Sequence, residues 1–145
     1  MTNTPGVLTD ATADLTWALI LGITRRIGEG ERLVRRGDWK GWTFDFMLGA
    51  EVRGKQLGIV GYGGIGRAVA ARGRAFGMRI AYTSRTPKND PDAEAMPFDR
   101  LLATSDIVSL HCPLTPETTA PDRSARAGAD EAQRVSDQHL ARTRR

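Results

Sequence analysis

The stretch "GIVGYGGIGRAVA", residues 58–70, decides the fold of this chain. Gly61, Gly63 and Gly66 form the pattern G-x-G-x-x-G directly after an apolar run. In this pattern the first glycine permits a tight turn, the second lets a pyrophosphate approach the backbone, and the third lets a helix pack on the preceding strand. The helix N-terminus supplies N–H groups and partial positive charge. The predicted dinucleotide-binding residues of this loop are Gly61, Tyr62, Gly63, Gly64, Ile65 and Gly66.

A glycine-rich loop of this kind has two other interpretations, a P-loop and a purely structural turn. A P-loop is excluded because no G-K-[ST] follows the pattern. A purely structural glycine turn stays open, because glycine is common in turns. The strand that leads in and the helix that follows favour the dinucleotide site.

Apolar runs and helical periodicity alternate after residue 56. The predicted elements are strands at 57–60, 78–83 and 106–111 and helices at 65–76 and 98–103, with Ile65, Val69 and Phe76 facing inward. This order predicts an α/β fold, a Rossmann-type doubly wound parallel sheet, here truncated to a β-α-β-α-β half.

Apolar residues recur near helical spacing over residues 11–36, which predicts one long N-terminal helix. Gly28 and Gly30 weaken it, which leaves a kink or a break open there. The next segment holds four aromatic residues among glycines: Trp39, Trp42, Phe44 and Phe46. They are either anchors in the local core or part of a subunit contact, and the sequence leaves both open.

Composition limits the classes of function. The chain has 145 residues and a net charge of +4, and its arginines are scattered rather than interleaved with aromatics, so no nucleic-acid partner is expected. The single cysteine, Cys112, predicts a reducing compartment, and the cytoplasm is expected because no basic leader is present. The apolar run at 15–23 is too short to span a bilayer, so no membrane partner is expected. The two histidines lack metal-ligand spacing, so no metal is expected.

The end of the second strand bears on the choice of cofactor. An acidic residue about twenty positions after the loop would bind the ribose 2′-OH of NAD, but "YTSRTPK", residues 82–88, contains no carboxylate. Ser84 and Thr86 can donate hydrogen bonds, and Arg85 and Lys88 can bind a 2′-phosphate. NADP(H) is favoured and NAD(H) stays open, because Arg85 can also be a plain surface residue beside a Ser84 that tolerates NAD.

Three separated motifs occur in order: "NTPGVLTDATADL" at 3–15, "RGKQLGIVGYGGIGRAVA" at 53–70 and "DIVSLHCPLTPET" at 106–118. Together they resemble the D-isomer-specific 2-hydroxyacid dehydrogenases, in particular the glyoxylate/hydroxypyruvate reductases. The resemblance implies a cofactor domain inserted in a substrate domain, a small 2-keto or 2-hydroxy acid as substrate, and a homodimer through the helix at 10–36. It also implies that His111, Cys112, Pro113 and Thr118 lie near the cofactor.

The chain departs from this family pattern in its chemistry. Family members bind the substrate carboxylate with an arginine after an "NTSRG"-like strand and donate a proton from a Glu–His pair further on, and neither motif is present. No catalytic residue is therefore assigned. His111 is interpreted as an ordered loop residue and Cys112 as a small loop residue without an activating partner. Three hypotheses remain: a fragment of an oxidoreductase, a non-catalytic dinucleotide-binding module, and an interaction module that pairs through residues 10–36.

Residues 1–120 are interpreted as a partial NAD(P)-binding domain and residues 121–145 as an atypical polar tail. The tail has only Val135 and Leu140 as large apolar residues. Codons compatible with residues 137–142, read one base later, permit Ile-Asn-Thr-Ser-Arg, which the family pattern places here. The hypothesis is that the tail is out-of-frame or disordered, with a frameshift just after residue 118 or 119, which the nucleotide sequence would decide.

Overall fold

The computed structural model describes residues 7–86 and 88–113. Thr118 and the tail at 121–145 lie outside the described residues. Along the chain the elements are α1 (Thr9–Thr24), α2 (Ile27–Arg35), β1 (Gln56–Val60), α3 (Gly64–Ala75), β2 (Arg79–Thr83), β3 (Glu94–Ala95), α4 (Phe98–Thr104) and β4 (Ile107–Leu110).

The strands form one parallel sheet in the order β3-β2-β1-β4. β1 lies between β2 and β4, so Val60 pairs with Thr83 on one side and Leu110 on the other. This confirms the predicted Rossmann-type α/β fold. The two-residue β3 was not predicted, because both of its residues are exposed and no apolar pattern marks so short a strand.

The core lies between the sheet and the helices α1 and α3. Leu57 and Ile59 of β1 and Val69 of α3 are each 0% exposed. Trp17 of α1 stacks on Phe76 at a ring-centroid distance of 4.5 Å, and its indole N–H donates to the carbonyl of Val69 over 3.0 Å. Val69 therefore faces inward as predicted, whereas Phe76 closes the edge of the core and remains 41% exposed.

The prediction of one long helix over residues 11–36 is wrong, because the segment forms two helices. The break lies at Arg25 and Arg26, and Arg26 has a left-handed backbone with φ of 57°. The backbone N–H of Ala50 donates to the carbonyl of Thr24 over 2.7 Å. That carbonyl would otherwise accept the next intrahelical bond, so a returning segment of chain ends α1. Gly28 is not the break; it lies within α2.

The aromatic segment after α2 does not enter the core. Trp39 is 58% exposed, Trp42 80% and Phe44 84%. Local core packing, one of the two alternatives from the sequence, is therefore excluded for these three side chains. The other alternative, a subunit contact, stays a prediction.

Candidate dinucleotide site

The glycine loop lies where three parallel strands end. The backbone N–H of Gly61 donates to the carbonyl of Thr83 at the end of β2 over 2.9 Å, and that of His111, just after β4, donates to the carbonyl of Val60 over 2.7 Å. The loop after β1, the segment after β2 and the segment after β4 therefore meet at the carboxyl edge of the sheet. In open α/β sheets this edge is where ligands bind.

Two glycines of the pattern are required by the protein's own packing. Gly61 has φ of +94°, and a Cβ there would lie 2.5 Å from the carbonyl oxygen of His111. A Cβ on Gly66 would overlap the carbonyl oxygen of Gly61 and approach the Ile59 side chain to 3.2 Å. Gly61 thus permits the turn, and Gly66 lets α3 lie against β1.

Gly63 is different, because no protein atom would contact a Cβ built on it. It precedes α3, whose first turn carries no acidic residue and whose N-cap makes no side-chain hydrogen bond. The first amides of a helix have no intrahelical acceptor, so they point outward with the positive end of the helix dipole. Open space over Gly63 beside these amides fits the pyrophosphate of a nicotinamide dinucleotide.

The other loop residues contribute in different ways. Tyr62 has its side chain buried, 1% exposed, so only its backbone can face a ligand. Ile65 is partly buried against the core. Gly64 lies near Thr9 at the start of α1, whose Oγ1 would be 3.6 Å from a Cβ on Gly64. Thr9 was not among the predicted site residues, because no local pattern links it to the loop.

The segment after β2 presents the polar groups that the sequence singled out. Ser84 is half-buried, and its hydroxyl donates to the carbonyl of Thr86 over 2.7 Å. Arg85 and Thr86 are exposed. No carboxylate occurs at residues 83–86. The next one along the chain, Asp90, accepts a hydrogen bond from Tyr62 over 2.6 Å.

The segment after β4 brings His111, Cys112 and Pro113 to the same edge. His111 is half-buried, with Nε2 2.8 Å from the hydroxyl of Ser109. Burial lowers the pKa of His111 below its ordinary value and so favours the neutral imidazole. Cys112 and Pro113 are exposed. Within residues 7–86 and 88–113, no group of three metal-ligating side chains converges.

No helix in the described part of the chain has the length and apolar character needed to cross a membrane.

Comparison with known proteins bears on the identity of this fold and site. The family model described as "D-isomer specific 2-hydroxyacid dehydrogenase, NAD binding domain" matches residues 17–121. Glyoxylate reductase from Thermococcus litoralis is 53% identical, over 81% of this chain and 38% of that protein.

Solved structures agree in fold as well as in sequence. The TT0316 protein from Thermus thermophilus superposes with a TM-score of 0.79 at 54% identity, over 81% of this chain and 37% of that one. A glyoxylate reductase from Paecilomyes thermophila has a TM-score of 0.70 at 44% identity, over 79% of this chain and 35% of that one.

The chain thus spans 38% of the length of the Thermococcus litoralis relative it matches, and the matched part contains the parallel sheet and the glycine loop at its carboxyl edge. The chain belongs to the D-isomer-specific 2-hydroxyacid dehydrogenases, and its residues 17–121 match the NAD-binding domain of that family.

Proposed function

We propose that this chain is the cofactor-binding part of a reductase for glyoxylate, hydroxypyruvate or a similar small 2-keto acid. The observation that carries the proposal is the open backbone at Gly63 beside the uncapped N-terminus of α3. The glyoxylate reductases that resemble the chain support the substrate class. A bound nicotinamide supplies the hydride. The residues of this chain hold the cofactor's pyrophosphate and orient it along the carboxyl edge of the sheet.

The proposal separates binding from turnover. The family's "NTSRG"-like motif with its arginine and the later Glu–His pair do not occur in this sequence, so we expect the chain alone to bind the cofactor without reducing glyoxylate. Isothermal titration of NADPH and NADH, followed by a glyoxylate assay at 340 nm, tests both statements. If neither NADPH nor NADH gave a binding isotherm with the chain, the proposal would be wrong. Turnover by the purified chain would contradict the separation.

NADP(H) is the proposed cofactor over NAD(H). The support is the exposed Arg85 beside Ser84 and Thr86, with no carboxylate at residues 83–86 to repel a 2′-phosphate. Arg85→Ala should weaken NADPH binding by about 10- to 100-fold, because one charge-assisted contact contributes about 1.5–3 kcal/mol. NADH affinity should change less than twofold. Arg79→Ala, an equally exposed arginine at the opposite end of β2, is the matched control.

A homodimer through residues 10–36 is the proposed assembly. α1 buries Ala13, Trp17 and Ile20 against the core, yet its opposite side exposes large apolar residues. These are Leu15 at 60%, Leu19 at 59% and Ile23 at 78% exposure, spaced four residues apart. A helix that is apolar on two sides favours burial between two surfaces.

We also propose a cytoplasmic location, supported by Cys112, an exposed cysteine with a free thiol.

A further inference from the structure

Tyr62 lies at the second position of the glycine pattern, but its side chain points away from the loop's open side. Its ring stacks on Tyr82 of β2 with centroids 4.0 Å apart and an interplanar angle of 20°. Its hydroxyl donates to Oδ2 of Asp90 over 2.6 Å, across 28 positions of sequence. A buried phenol that bonds a carboxylate therefore connects the glycine loop to the chain beyond β2.

Asp90 is held by more than this one bond. Its Oδ2 also accepts from Arg74 of α3 over 3.4 Å, and its Oδ1 accepts from the backbone N–H of Asp92 over 3.1 Å. The side chain of Asp90 is only 16% exposed. The hydrogen bond that Asp90 accepts from Tyr62 holds the pKa of Asp90 below its usual value. Burial raises the pKa of Tyr62 to about 12. At neutral pH the pair is a phenol donating to a carboxylate, a strong type of hydrogen bond.

Two adjacent residues of the glycine loop thereby hold both ends of the polar segment after β2. The N–H of Gly61 holds the carbonyl of Thr83, where the segment begins. The hydroxyl of Tyr62 holds Asp90, where it ends. Near the same end, the hydroxyl of Tyr82 donates to the Lys88 carbonyl over 2.7 Å and accepts from the Lys88 N–H over 3.0 Å.

We propose that Tyr62 and Asp90 are positioning residues that fix the segment after β2, with Ser84, Arg85 and Thr86, relative to the phosphate-binding glycine loop. A bound dinucleotide would place its pyrophosphate at the loop and its adenosine ribose at the segment, so the relative placement of loop and segment would set how well one ligand contacts both. This inference rests on the proposed function. It assigns Tyr62 a role through Asp90 rather than through contact with the ligand.

The first test measures binding of adenosine 2′,5′-bisphosphate and NADPH by isothermal titration calorimetry. Tyr62→Phe keeps the ring stack and removes only the hydroxyl, and Asp90→Ala removes the acceptor. Each should raise Kd for both ligands at least fivefold. Asp90→Asn keeps an oxygen acceptor for Tyr62 and should restore Kd to within threefold of the unaltered chain. The double variant Tyr62→Phe/Asp90→Ala should be no weaker than Asp90→Ala alone.

Asp14→Asn is the matched control. Asp14 pairs with Arg72 of α3 over 2.7 Å as Asp90 pairs with Arg74, but it lies on α1 rather than beyond β2. The variant should leave the Kd of both ligands unchanged. A loss equal to that of Tyr62→Phe would mean that general destabilisation of α3 accounts for the effect, and it would overturn the proposal.

The second test needs no ligand. Trypsin should cleave after Arg85 at least threefold faster in Tyr62→Phe than in the unaltered chain, as followed by mass spectrometry of the first fragments. Asp14→Asn should not change this rate. Faster cleavage after Arg85 without any dinucleotide binding by the unaltered chain would end the proposed function while still supporting the Tyr62–Asp90 tether. An unchanged cleavage rate, or an unchanged Kd in Tyr62→Phe, overturns the tether.

Discussion

The carboxyl edge of the sheet and the segment after α2 both carry clustered aromatic side chains, and they use them in opposite ways. Tyr62 and Tyr82 stack on each other and are each 1% exposed. Trp42 and Phe44 are 80% and 84% exposed. The first region completes its packing within the described residues, while the second leaves its apolar area exposed. Apolar content alone therefore does not distinguish a core from a contact surface.

Replacing one buried and one exposed tryptophan should produce the largest difference, with Trp17 of α1 as the buried residue and Trp42 of the segment after α2 as the exposed one. Trp17→Ala removes a side chain that is 4% exposed and donates to the Val69 carbonyl, so it should lower the free energy of unfolding by about 3–5 kcal/mol. Trp42→Ala should change it by less than about 0.5 kcal/mol. Urea unfolding at low protein concentration measures both. Equal losses would break the comparison between buried and exposed aromatic residues.

A methyl group added to the glycine loop should have the next largest effect. Gly66→Ala forces α3 away from β1, because the new Cβ would overlap the Gly61 carbonyl oxygen, and should cost about 1–3 kcal/mol. Gly22→Ala on α1 meets no atom and should stabilise the chain by about 1 kcal/mol through helix propensity. Thermal melts of the two variants check this, and a stable Gly66→Ala variant would contradict the close packing of helix and strand.

Alkaline pH should weaken the buried aromatic region selectively. The pKa of Tyr62 is raised from 10.0 to about 12, so folding favours its neutral phenol. This contribution is complete below pH 10 and is lost as pH rises from 10 to 12. Urea unfolding at pH 9 and pH 11.5 should show the loss in the unaltered chain, and a smaller one in Tyr62→Phe. Absorbance at 295 nm should show a tyrosine titration near pH 12 that is missing in Tyr62→Phe.

The smallest effect on folding is expected on the exposed side of α1. Leu19→Lys, at a side chain 59% exposed, should change the free energy of unfolding by less than about 0.5 kcal/mol. It should nevertheless abolish self-association measured by sedimentation equilibrium, because a charge would be buried in the contact. Ala71→Lys, on the exposed side of α3, is the control that should associate normally. A monomeric unaltered chain would exclude the proposed homodimer.

The strand–loop–helix unit was predictable because its information is local. The strand predicted at 57–60 is Gln56–Val60, and the helix predicted at 65–76 is Gly64–Ala75. The spacing of the glycines within six residues predicts the tight turn, the close approach of a pyrophosphate to the backbone and the start of the helix. Local sequence did not show that the side chain of Tyr62 bonds Asp90, which lies in a later loop.

The sequence by itself determined the parallel α/β fold, the position of the glycine loop and the absence of a carboxylate at the end of β2, because each depends on neighbouring residues. Tertiary structure alone decided where the predicted N-terminal helix breaks, because the N–H of Ala50 donates to the carbonyl of Thr24 at the end of α1. It also decided which aromatic residues are buried and which partner Tyr62 bonds. Those outcomes depend on contacts between residues far apart along the chain. Such contacts form only in the folded protein, and no local sequence pattern shows them.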